Sequence, residues 1–501
     1  MRRPPGSAIA RCAGLLCVAA LPLMVLATDA VSADDETAAA ATAGNAFGID
    51  LFKELAAGNP NDNLFLSPYS LFVTLSLTSA GARGRTEAEM KHVLHVPEGA
   101  EGFHAGIAAL NRRFDVPADA AKIREQKAEI EKLRALQQRI NQRIKDLWSD
   151  RDPKRQEIEK ARKEEADIAS RISELISRMD PTQLFLANAL WMEKTCKIRK
   201  SFLELAAAHY NSAVHEADFI RGFELARGQI NRWAEDATRE RIRDLLPLGS
   251  VGPLTRLILT NAIYFKGEWK TSFSREKTRD EDFTLADGRK IKVPMMMHGH
   301  LKDARYAAFH ADGSHAETPS RPTRDVEEGG FAMLELPYLG NRLSMIVIAP
   351  NSPQGLPAVE KMLDEEALAQ WMGELERSEV MVFLPRWKVE TGYVLNDALT
   401  RLGMGSAFRM AGANGGADFG GMVDTMHPEN SLFIDLVLHK AFVEVNEEGT
   451  EAAAATAVTM TLGAGPMPAV FRADRPFLYL IRDIESGVIL FLGRLANPVA
   501  Q

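Results

Sequence analysis

The chain has 501 residues, of which 46% are hydrophobic and 26% are charged. This composition is typical of a folded globular protein and excludes a disordered or collagen-like chain. The formal net charge of −8 gives no reason to expect nucleic acid or an anionic membrane surface as a partner.

Residues 1–33 have the three-part pattern of a secretory signal peptide. Arg2 and Arg3 supply a positive start, an apolar run extends from residue 12 to residue 27, and small residues occupy Val31-Ser32-Ala33. We predict cleavage after this small-residue triplet and a secreted mature protein, extracellular or periplasmic, spanning residues 34–501. An uncleaved membrane anchor is the alternative, but Pro22 interrupts the run, which is shorter than the roughly 20 residues that a span needs.

The chain has three cysteines, and the predicted signal removes two of them. Cys12 and Cys17 leave with it, so Cys196 remains as the one thiol and the mature chain can form no internal disulfide. The neighbouring Lys194 and Lys197 could lower the thiol pKa and make Cys196 a nucleophile. No His or Asn pattern accompanies it, so an unreactive structural thiol is the favoured interpretation.

The first elements of the mature chain are a helix, a short strand and a second helix. Apolar residues recur at helical spacing over 45–56, and residues 63–66 form a short apolar strand candidate. Ser67 is a good N-cap and Pro68 is tolerated in a first helical turn, so a helix is predicted from there to about Ala80, where Gly81 ends it.

Residues 117–181 form a block of different composition, dense in Lys, Arg, Glu and Gln and without Gly or Phe. Two apolar stripes at three-, four- and seven-residue spacing flank a turn at Asp152-Pro153. They predict an antiparallel coiled-coil hairpin, whose first helix would be roughly 50 Å long. We expect a monomer, and we hypothesise that the hairpin docks a protein partner or sets the oligomeric state; a long solvated helix pair with no partner is the alternative. The stripes consist of Ile123, Ile130, Leu133, Ile140, Ile144 and Leu147, and of Ile158, Ala161, Ile168, Ile172, Leu175 and Met179.

The remainder of the chain mixes strands and helices without regular alternation. Such an order predicts an α+β fold rather than a doubly wound parallel sheet. A polar stretch with several prolines predicts an exposed loop over 310–330. The predicted elements are a strand at 183–190, helices at 202–219 and 223–246, a strand buried on both faces at 255–266, hairpins at 283–297 and 331–350, and mainly strands after 380.

Enzyme motifs are absent from the sequence. There is no His-Glu-x-x-His zinc helix, no Gly-rich phosphate loop ending in Lys-Ser or Lys-Thr, and no paired Cys for a metal. The nearest approach to a nucleophile elbow, residues 403–407, lacks the Gly-x-Ser-x-Gly spacing. We therefore predict no catalytic residues, no cofactor and no metal.

The segment 447–468 has unusual physical properties. It is a run of Ala and Thr with little bulk, and it contains no Pro before Pro466, so each backbone N–H before that point could join a sheet ladder. Alternate positions from Thr450 to Thr456 carry small side chains and would share one face of a strand. Glu451 falls on the opposite face, and Gly449 provides backbone freedom at the start. From composition alone, a flexible Ala-rich linker is the alternative.

The segment Glu447-Glu448-Gly449-Thr450-Glu451-Ala452 through Thr456 resembles the hinge of inhibitory serpins nearly residue for residue. Further matching motifs follow in the family's order and cover residues 43–500, except 117–181 and about 308–330. The set as a whole is specific, whereas each motif alone is only moderately so. The motifs are Asn63–Ser70, Leu259–Trp269, Leu384–Trp387, His439–Val445, Arg475–Phe477, Gly493-Arg494 and Asn497-Pro498.

This resemblance implies a fold, a mechanism and a set of site residues. The serpin fold has a large central mixed sheet, further sheets and about nine helices. A serine protease cleaves the reactive-centre loop, and the cut loop then inserts into the central sheet and traps the acyl-enzyme. The matching polar cluster beneath the opening sheet is Ser67, Ser70, Asn261 and His439. The matching hinge is Glu447, Gly449, Thr450, Glu451, Ala452, Ala453, Ala454, Ala455 and Thr456.

Two departures from the family pattern affect these expectations. Glu240 stands where many relatives have Gly, which is a minor change, and the second half of the loop is about two residues longer than usual. We therefore bracket the scissile bond within Leu462, Gly463, Ala464 and Gly465. No Lys or Arg lies between 449 and 469, so we expect an elastase-, subtilisin- or chymotrypsin-like target. A non-inhibitory serpin acting as a binding or chaperone module is the alternative.

Overall fold

The computed structural model describes residues 33–99, 102–114, 120–149, 154–179, 182–210, 213–316, 329–410, 415–424, 432–450 and 468–499. Residues 1–32 of the predicted signal peptide and residues 451–467 of the predicted loop lie outside these ranges. Within the ranges, no helix combines the length and the apolar character that crossing a bilayer requires.

Eleven α-helices are present in the described part of the chain, and two of them, α5 and α6, fall within 117–181. The helices are α1 Ala33–Gly58, α2 Pro68–Ala80, α3 Gly84–Val93, α4 Phe103–Phe114, α5 Ala120–Ser149, α6 Arg155–Arg178, α7 Lys200–His209, α8 Phe219–Ala237, α9 Leu356–Met362, α10 Glu365–Gly373 and α11 Asn396–Leu402.

The described strands form three sheets. In chain order they are β1 Leu64–Leu66, β2 Gln183–Glu193, β3 Ala213–Ala217, β4 Leu257–Glu268, β5 Arg279–Thr284, β6 Lys290–Leu301, β7 Arg305–Phe309, β8 His315–Ala316, β9 Phe331–Pro337, β10 Leu343–Pro350, β11 Glu376–Arg377, β12 Val380–Pro385, β13 Trp387–Val394, β14 Ile434–Asn446, β15 Gly449–Thr450, β16 Ala469–Arg472, β17 Phe477–Asp483 and β18 Ile489–Leu495.

The sheet that positions the site has the order β13-β14-β15-β4-β2-β3 and is mixed. Strand β14 is antiparallel to β13 and parallel to β4, while β2 is antiparallel to β4 and parallel to β3. The other two sheets are an eight-stranded antiparallel sheet that runs from β1 to β11, and a four-stranded sheet in the order β16-β12-β6-β5. The predicted α+β class with a large central mixed sheet and further sheets is confirmed.

Strand β4 is buried on both faces, as its continuous apolar sequence predicts. Leu257, Leu259 and Ile263 point into the main core, which α1, α2 and α4 also line. Ile258 and Ala262 point the opposite way, into a second core that is closed by α8. The alternation follows from the two-residue period of a strand, and it leaves no position on β4 between residues 257 and 265 facing solvent.

Helix α2 begins as the sequence predicts. The Ser67 side chain accepts the backbone N–H of Ser70 at 3.3 Å, Pro68 is the first helical residue, and the helix ends before Gly81. Helix α1 begins at Ala33, twelve residues earlier than the predicted segment 45–56. Three acidic residues in its first turn interact favourably with the positive end of the helix dipole.

The prediction of one helix over 202–219 is wrong. This stretch contains α7, which ends at His209, and then strand β3. Strand β3 pairs in parallel with β2, from Ala189 opposite Ala213 to Glu193 opposite Ala217. Pairing with the edge of a buried sheet outweighs the helix propensity of a short Ala-containing segment.

Helices α5 and α6 pack against each other and against the body of the protein. Their apolar contact includes a cluster to which Leu339, in the turn after β9, also contributes. At 1.5 Å per residue, the 30 residues of α5 extend about 45 Å. The two predicted helices are therefore present, whereas coiled-coil packing between them stays a prediction. The buried members of the cluster are Ile130, Ile172, Ile176, Met179 and Leu339.

Candidate functional site

The last two described residues before the loop already lie inside the central sheet. Strand β15, Gly449–Thr450, sits between β14 and β4 and is antiparallel to both. Thr450 is opposite Val445 on one side and Gly267 on the other. Beyond this point β14 and β4 pair directly, in parallel, as far as Ile434 and Leu257. Two hinge residues thus separate β14 from β4 at one end, and along the rest of their paired length the two strands are hydrogen-bonded directly to each other.

Gly449 is required by the close approach of two backbones. Its φ is +152°, and a Cβ built at this position would lie 2.1 Å from the carbonyl oxygen of Gly267. Such a contact is far inside van der Waals distance, so a side chain would push β15 away from β4. The glycine of the hinge motif therefore permits the tight pairing as well as backbone freedom.

Thr450 is fully buried and connects the hinge to the neighbouring sheet. Its hydroxyl is 2.8 Å from the hydroxyl of Tyr338. The Tyr338 ring stacks on Trp269 with centroids 4.7 Å apart, and the Trp269 indole donates to the carbonyl oxygen of Asn446 at 3.0 Å. A bulky or charged residue at position 450 would have no room in this arrangement.

Two glutamates anchor the chain just before the hinge. Glu447 is buried, and both of its carboxylate oxygens accept from Arg386 Nε at 2.8 Å, while the Thr278 hydroxyl donates at 2.5 Å. Burial alone would raise the pKa of Glu447, but the hydrogen bonds from Arg386 and Thr278 hold it below its usual value. Glu448 is also buried and forms an ion pair with Arg275.

The four residues of the predicted polar cluster are connected by hydrogen bonds. His439 Nε2 accepts the backbone N–H of Ser67 at 3.0 Å, so the proton lies on Nδ1, which is 2.5 Å from Asn261 Oδ1. The Asn261 amide in turn donates to the Ser70 hydroxyl at 2.5 Å. Burial lowers the pKa of His439 to about 3, which keeps the imidazole neutral.

This cluster connects β14 and β4, the two strands between which β15 lies. His439 on β14 and Asn261 on β4 are direct register partners. Asn188 on β2 pairs with Asn261 in register, and its Oδ1 accepts from Asn261 at 2.7 Å and from Ser70 at 2.6 Å. Asn188 was not predicted, although a lone amide within the apolar stretch 184–192 was an available signal.

The other predicted loop residues fall outside the described ranges. They comprise the hinge positions Glu451 to Thr456 and the bracketed cleavage positions Leu462, Gly463, Ala464 and Gly465. Their assigned roles stay predictions, as does the sheet-opening role of the polar cluster.

Cys196 is a poor candidate for a nucleophile. It is buried, and burial, together with the charge of Glu193, raises the pKa of its thiol to about 11. Among the described residues, no group of three or more His, Cys, Asp or Glu side chains is arranged to hold a metal ion.

Comparison with known proteins identifies similar sequences over almost the whole chain. The family model described as "Serpin (serine protease inhibitor)" matches residues 42–498. A leukocyte elastase inhibitor of Sus scrofa is 34% identical, with 91% of this chain and 98% of that protein covered. Serpin B8 of Homo sapiens is 33% identical, with the same coverages. Uncleaved ovalbumin has a similar fold, with a TM-score of 0.67, 24% identity, and coverage of 91% of this chain and 99% of the ovalbumin chain.

Proposed function

The chain belongs to the serpin family of serine protease inhibitors, and from this premise we propose that it is a secreted suicide inhibitor. The target's catalytic serine attacks a peptide bond of the loop and forms an ester, while the new amino terminus leaves. The cut loop then inserts between β14 and β4 and carries the acyl-enzyme away before water can hydrolyse the ester. The inhibitor contributes a peptide bond and a conformational change rather than a catalytic group.

The observation that carries this proposal is the position of β15. Two hinge residues pair between β14 and β4, in the orientation that a longer inserted strand would have. Further residues of the loop would continue this strand in place of the direct β14–β4 pairing. The side chains at 452, 454 and 456, which would share the face of Thr450, are all small.

Insertion would replace one ladder of backbone hydrogen bonds, between β14 and β4, with two ladders, one on each side of the inserted loop. Residues from Ile434 to Phe442 of β14 now pair in parallel with Leu257 to Tyr264 of β4. A strand that extends β15 would be antiparallel to both neighbours, and antiparallel pairing is slightly more stable per residue. The added backbone hydrogen bonds and the loss of parallel pairing supply the driving force, and the polar cluster must rearrange for the strands to separate.

The proposed target is an elastase-, subtilisin- or chymotrypsin-like serine protease. The stretch between residues 449 and 469 has no Lys or Arg, so a trypsin-like specificity pocket would lack its preferred side chain. The similarity to a protein named leukocyte elastase inhibitor supports this choice. Secretion is proposed from the signal pattern of residues 1–33.

The test is to mix the mature protein with elastase, subtilisin, chymotrypsin and trypsin, followed by denaturing gels and mass spectrometry. We expect a covalent complex that survives SDS with at least one of the first three, and cleavage between Leu462 and Gly465. Thr450→Arg should still be cleaved but form no complex, because a buried site cannot accept the side chain. The control Leu248→Arg places the same side chain at an exposed position, and it should inhibit as the unaltered protein does.

Two results would contradict the proposal. Cleavage without complex formation by every protease would favour the alternative of a non-inhibitory binding module. Strong stoichiometric trapping of trypsin through this loop would contradict the proposed target class.

We also propose that the helices α5 and α6 dock a protein partner or set the oligomeric state. Their surface is long, charged and unmatched by the family motifs. Deletion of residues 118–180 should change the mass measured by light scattering, the localisation or the inhibition rate. If all three stay unchanged, the hypothesis fails.

A further inference from the structure

The strands on the two sides of β15 are connected to the rest of the protein differently. On one side, β13 is joined to β1, since the Thr391 hydroxyl donates to the carbonyl oxygen of Phe65 at 2.5 Å. Strand β14 is joined to the residue after β1, because His439 accepts the backbone N–H of Ser67. On the other side, β4, β2 and β3 form one hydrogen-bonded block. If a strand enters between β14 and β4, we therefore expect this block to move away from β14.

The inserted helices α5 and α6 are attached to this block at two points. Helix α6 ends at Arg178 and β2 begins at Gln183, so only residues 179–182 lie between them. The Lys127 ammonium on α5 donates to both carboxylate oxygens of Glu268, the last residue of β4. A displacement of β2 and β4 must therefore also move the end of the helix pair that lies next to them.

This end of the helix pair, which we call its base, also packs on the body of the protein. Ile130 on α5 and Ile176 on α6 share a buried cluster with Leu339. Leu339 follows β9 of the eight-stranded sheet, and its backbone N–H donates to the carbonyl oxygen of Glu268 at 2.7 Å. Glu268 is in turn the register partner of Gly449 in β15. The base thus connects the block to the body at the end of β4 where the hinge enters.

The apolar contact at the base opposes movement of the block. Ile176 and Leu339 are 7% and 8% exposed, so moving them apart would expose apolar surface that is now almost wholly covered. Exposing such surface costs free energy in proportion to its area. The ion pair between Lys127 and Glu268 connects this resistance to β4, because it fixes α5 to the end of the strand.

We propose that the docked helix pair restrains opening of the central sheet, and that release of its base from Leu339 speeds entry of a strand between β14 and β4. This inference rests on the proposed inhibitory function, because that function requires the sheet to open. It also gives a partner of α5 and α6 a defined effect. A partner that separates the base from Leu339 accelerates insertion of the loop, and a partner that holds the base in place slows it.

The test measures strand entry into the full mature chain without protease. The probe is a fluorescein-labelled peptide with the sequence of residues 451–461, and its uptake is followed by fluorescence anisotropy. If the register of β15 continues beyond Thr450, this peptide lies opposite residues 444 to 434 of β14. A control peptide that carries Ala453→Pro and Ala455→Pro lacks two backbone donors and should not be taken up.

Variants of the base test the restraint. Ile176→Asp should take up the peptide at least about tenfold faster than the unaltered protein, because a charge at this position separates the base from Leu339. The matched control Leu136→Asp, at an exposed position of α5, should leave the rate unchanged. Lys127→Gln removes the ion pair but keeps the apolar cluster, so it should accelerate uptake about threefold, and it serves if Ile176→Asp does not fold. Its control is Lys132→Gln, at an exposed position of the same helix, which should have no effect.

The outcomes separate the restraint from the proposed function. Equal uptake by the unaltered protein and by both base variants would overturn the restraint, while the sheet would still open as the inhibitory function requires. Equal acceleration in the control variants would also overturn it, because the effect would not then come from the base. Uptake by none of the proteins would contradict opening of the sheet itself, and it would overturn the proposed function together with the restraint.

Discussion

His439 shows how burial of a single side chain makes the central sheet sensitive to pH. The imidazole is neutral in the fold, because burial lowers its pKa to about 3, whereas an unfolded chain has a histidine pKa near 6.5. Below about pH 6.5 the unfolded state binds a proton that the folded state does not. The contribution of His439 to stability is therefore complete above this pH and decreases as the pH falls towards 3.

We predict that the free energy of unfolding falls on acidification from pH 7.5 to pH 5, with about 2 kcal/mol arising from His439. Buried His298, with a pKa lowered to about 4 by burial and by the nearby charges of Lys277 and His300, should add to the loss. Urea unfolding measures the effect. His439→Gln should reduce the pH dependence, and the exposed control His92→Gln should retain it. An unchanged slope in His439→Gln would contradict the assignment.

Gly449 provides a second prediction for a single residue. Gly449→Ala should displace β15, because the new Cβ would collide with the carbonyl oxygen of Gly267. We expect amide hydrogen exchange in residues 446–450 to accelerate by at least about tenfold, which corresponds to about 1.4 kcal/mol. Gly373→Ala, which has open space around its Cβ, is the control. Unaltered protection at 446–450 would show that the hinge pairing does not depend on the glycine.

Only the site residues that lie within family motifs could be predicted from the sequence. Ser67, Ser70, Asn261 and His439 were selected by resemblance, and they are hydrogen-bonded to one another in the structure. Asn188 lies between the matching motifs, and only the register of β2 against β4 brings it into contact.

At the scale of elements, the inserted helix pair depends on a small apolar contact for its position. Ile176 is buried in the cluster with Ile130 and Leu339. A charge at this point cannot be hydrated without separating the helices from the body.

We predict that Ile176→Asp undocks the base of α5 and α6 while the rest of the fold stays intact. Amide exchange should accelerate in α5 around Lys127, and the strands of the central sheet should keep their protection. Leu136→Asp, at a 38% exposed position of the same pair, is the matched control and should change little. Equal exchange in the two variants would mean that the cluster does not hold the helices.

Elements with strong local signals were predicted well, and elements that depend on distant pairing were not. The turns at Gly288 and Gly340, both with positive φ, separate β5 from β6 and β9 from β10 as expected. Strand β3 was mistaken for helix, because its partner β2 lies about 20 residues earlier in the chain. The end of α8 was predicted at residue 246, but the helix ends at Ala237. Arg239 and Glu240, just after this end, have positive φ.

At the scale of the whole molecule, the central sheet combines two arrangements along strands β14 and β4. The strands form a parallel pair for most of their length, and the two residues of β15 lie between them at one end. The sequence could predict the family and fold class, since motifs along the chain agree. How far the hinge enters the sheet is set by packing around Thr450, Tyr338 and Trp269, which motifs do not encode.

The most direct test of this account is thermal unfolding before and after a single cut within residues 451–467. If the cut loop inserts, the sheet gains a strand with antiparallel backbone hydrogen bonds on both sides. This strand should add several kcal/mol to the free energy of unfolding. The midpoint of unfolding should then rise by about 5 °C, and Thr450→Arg should show a much smaller rise. A cut protein that unfolds at the same temperature as the intact one, or lower, would contradict insertion and with it the proposed mechanism.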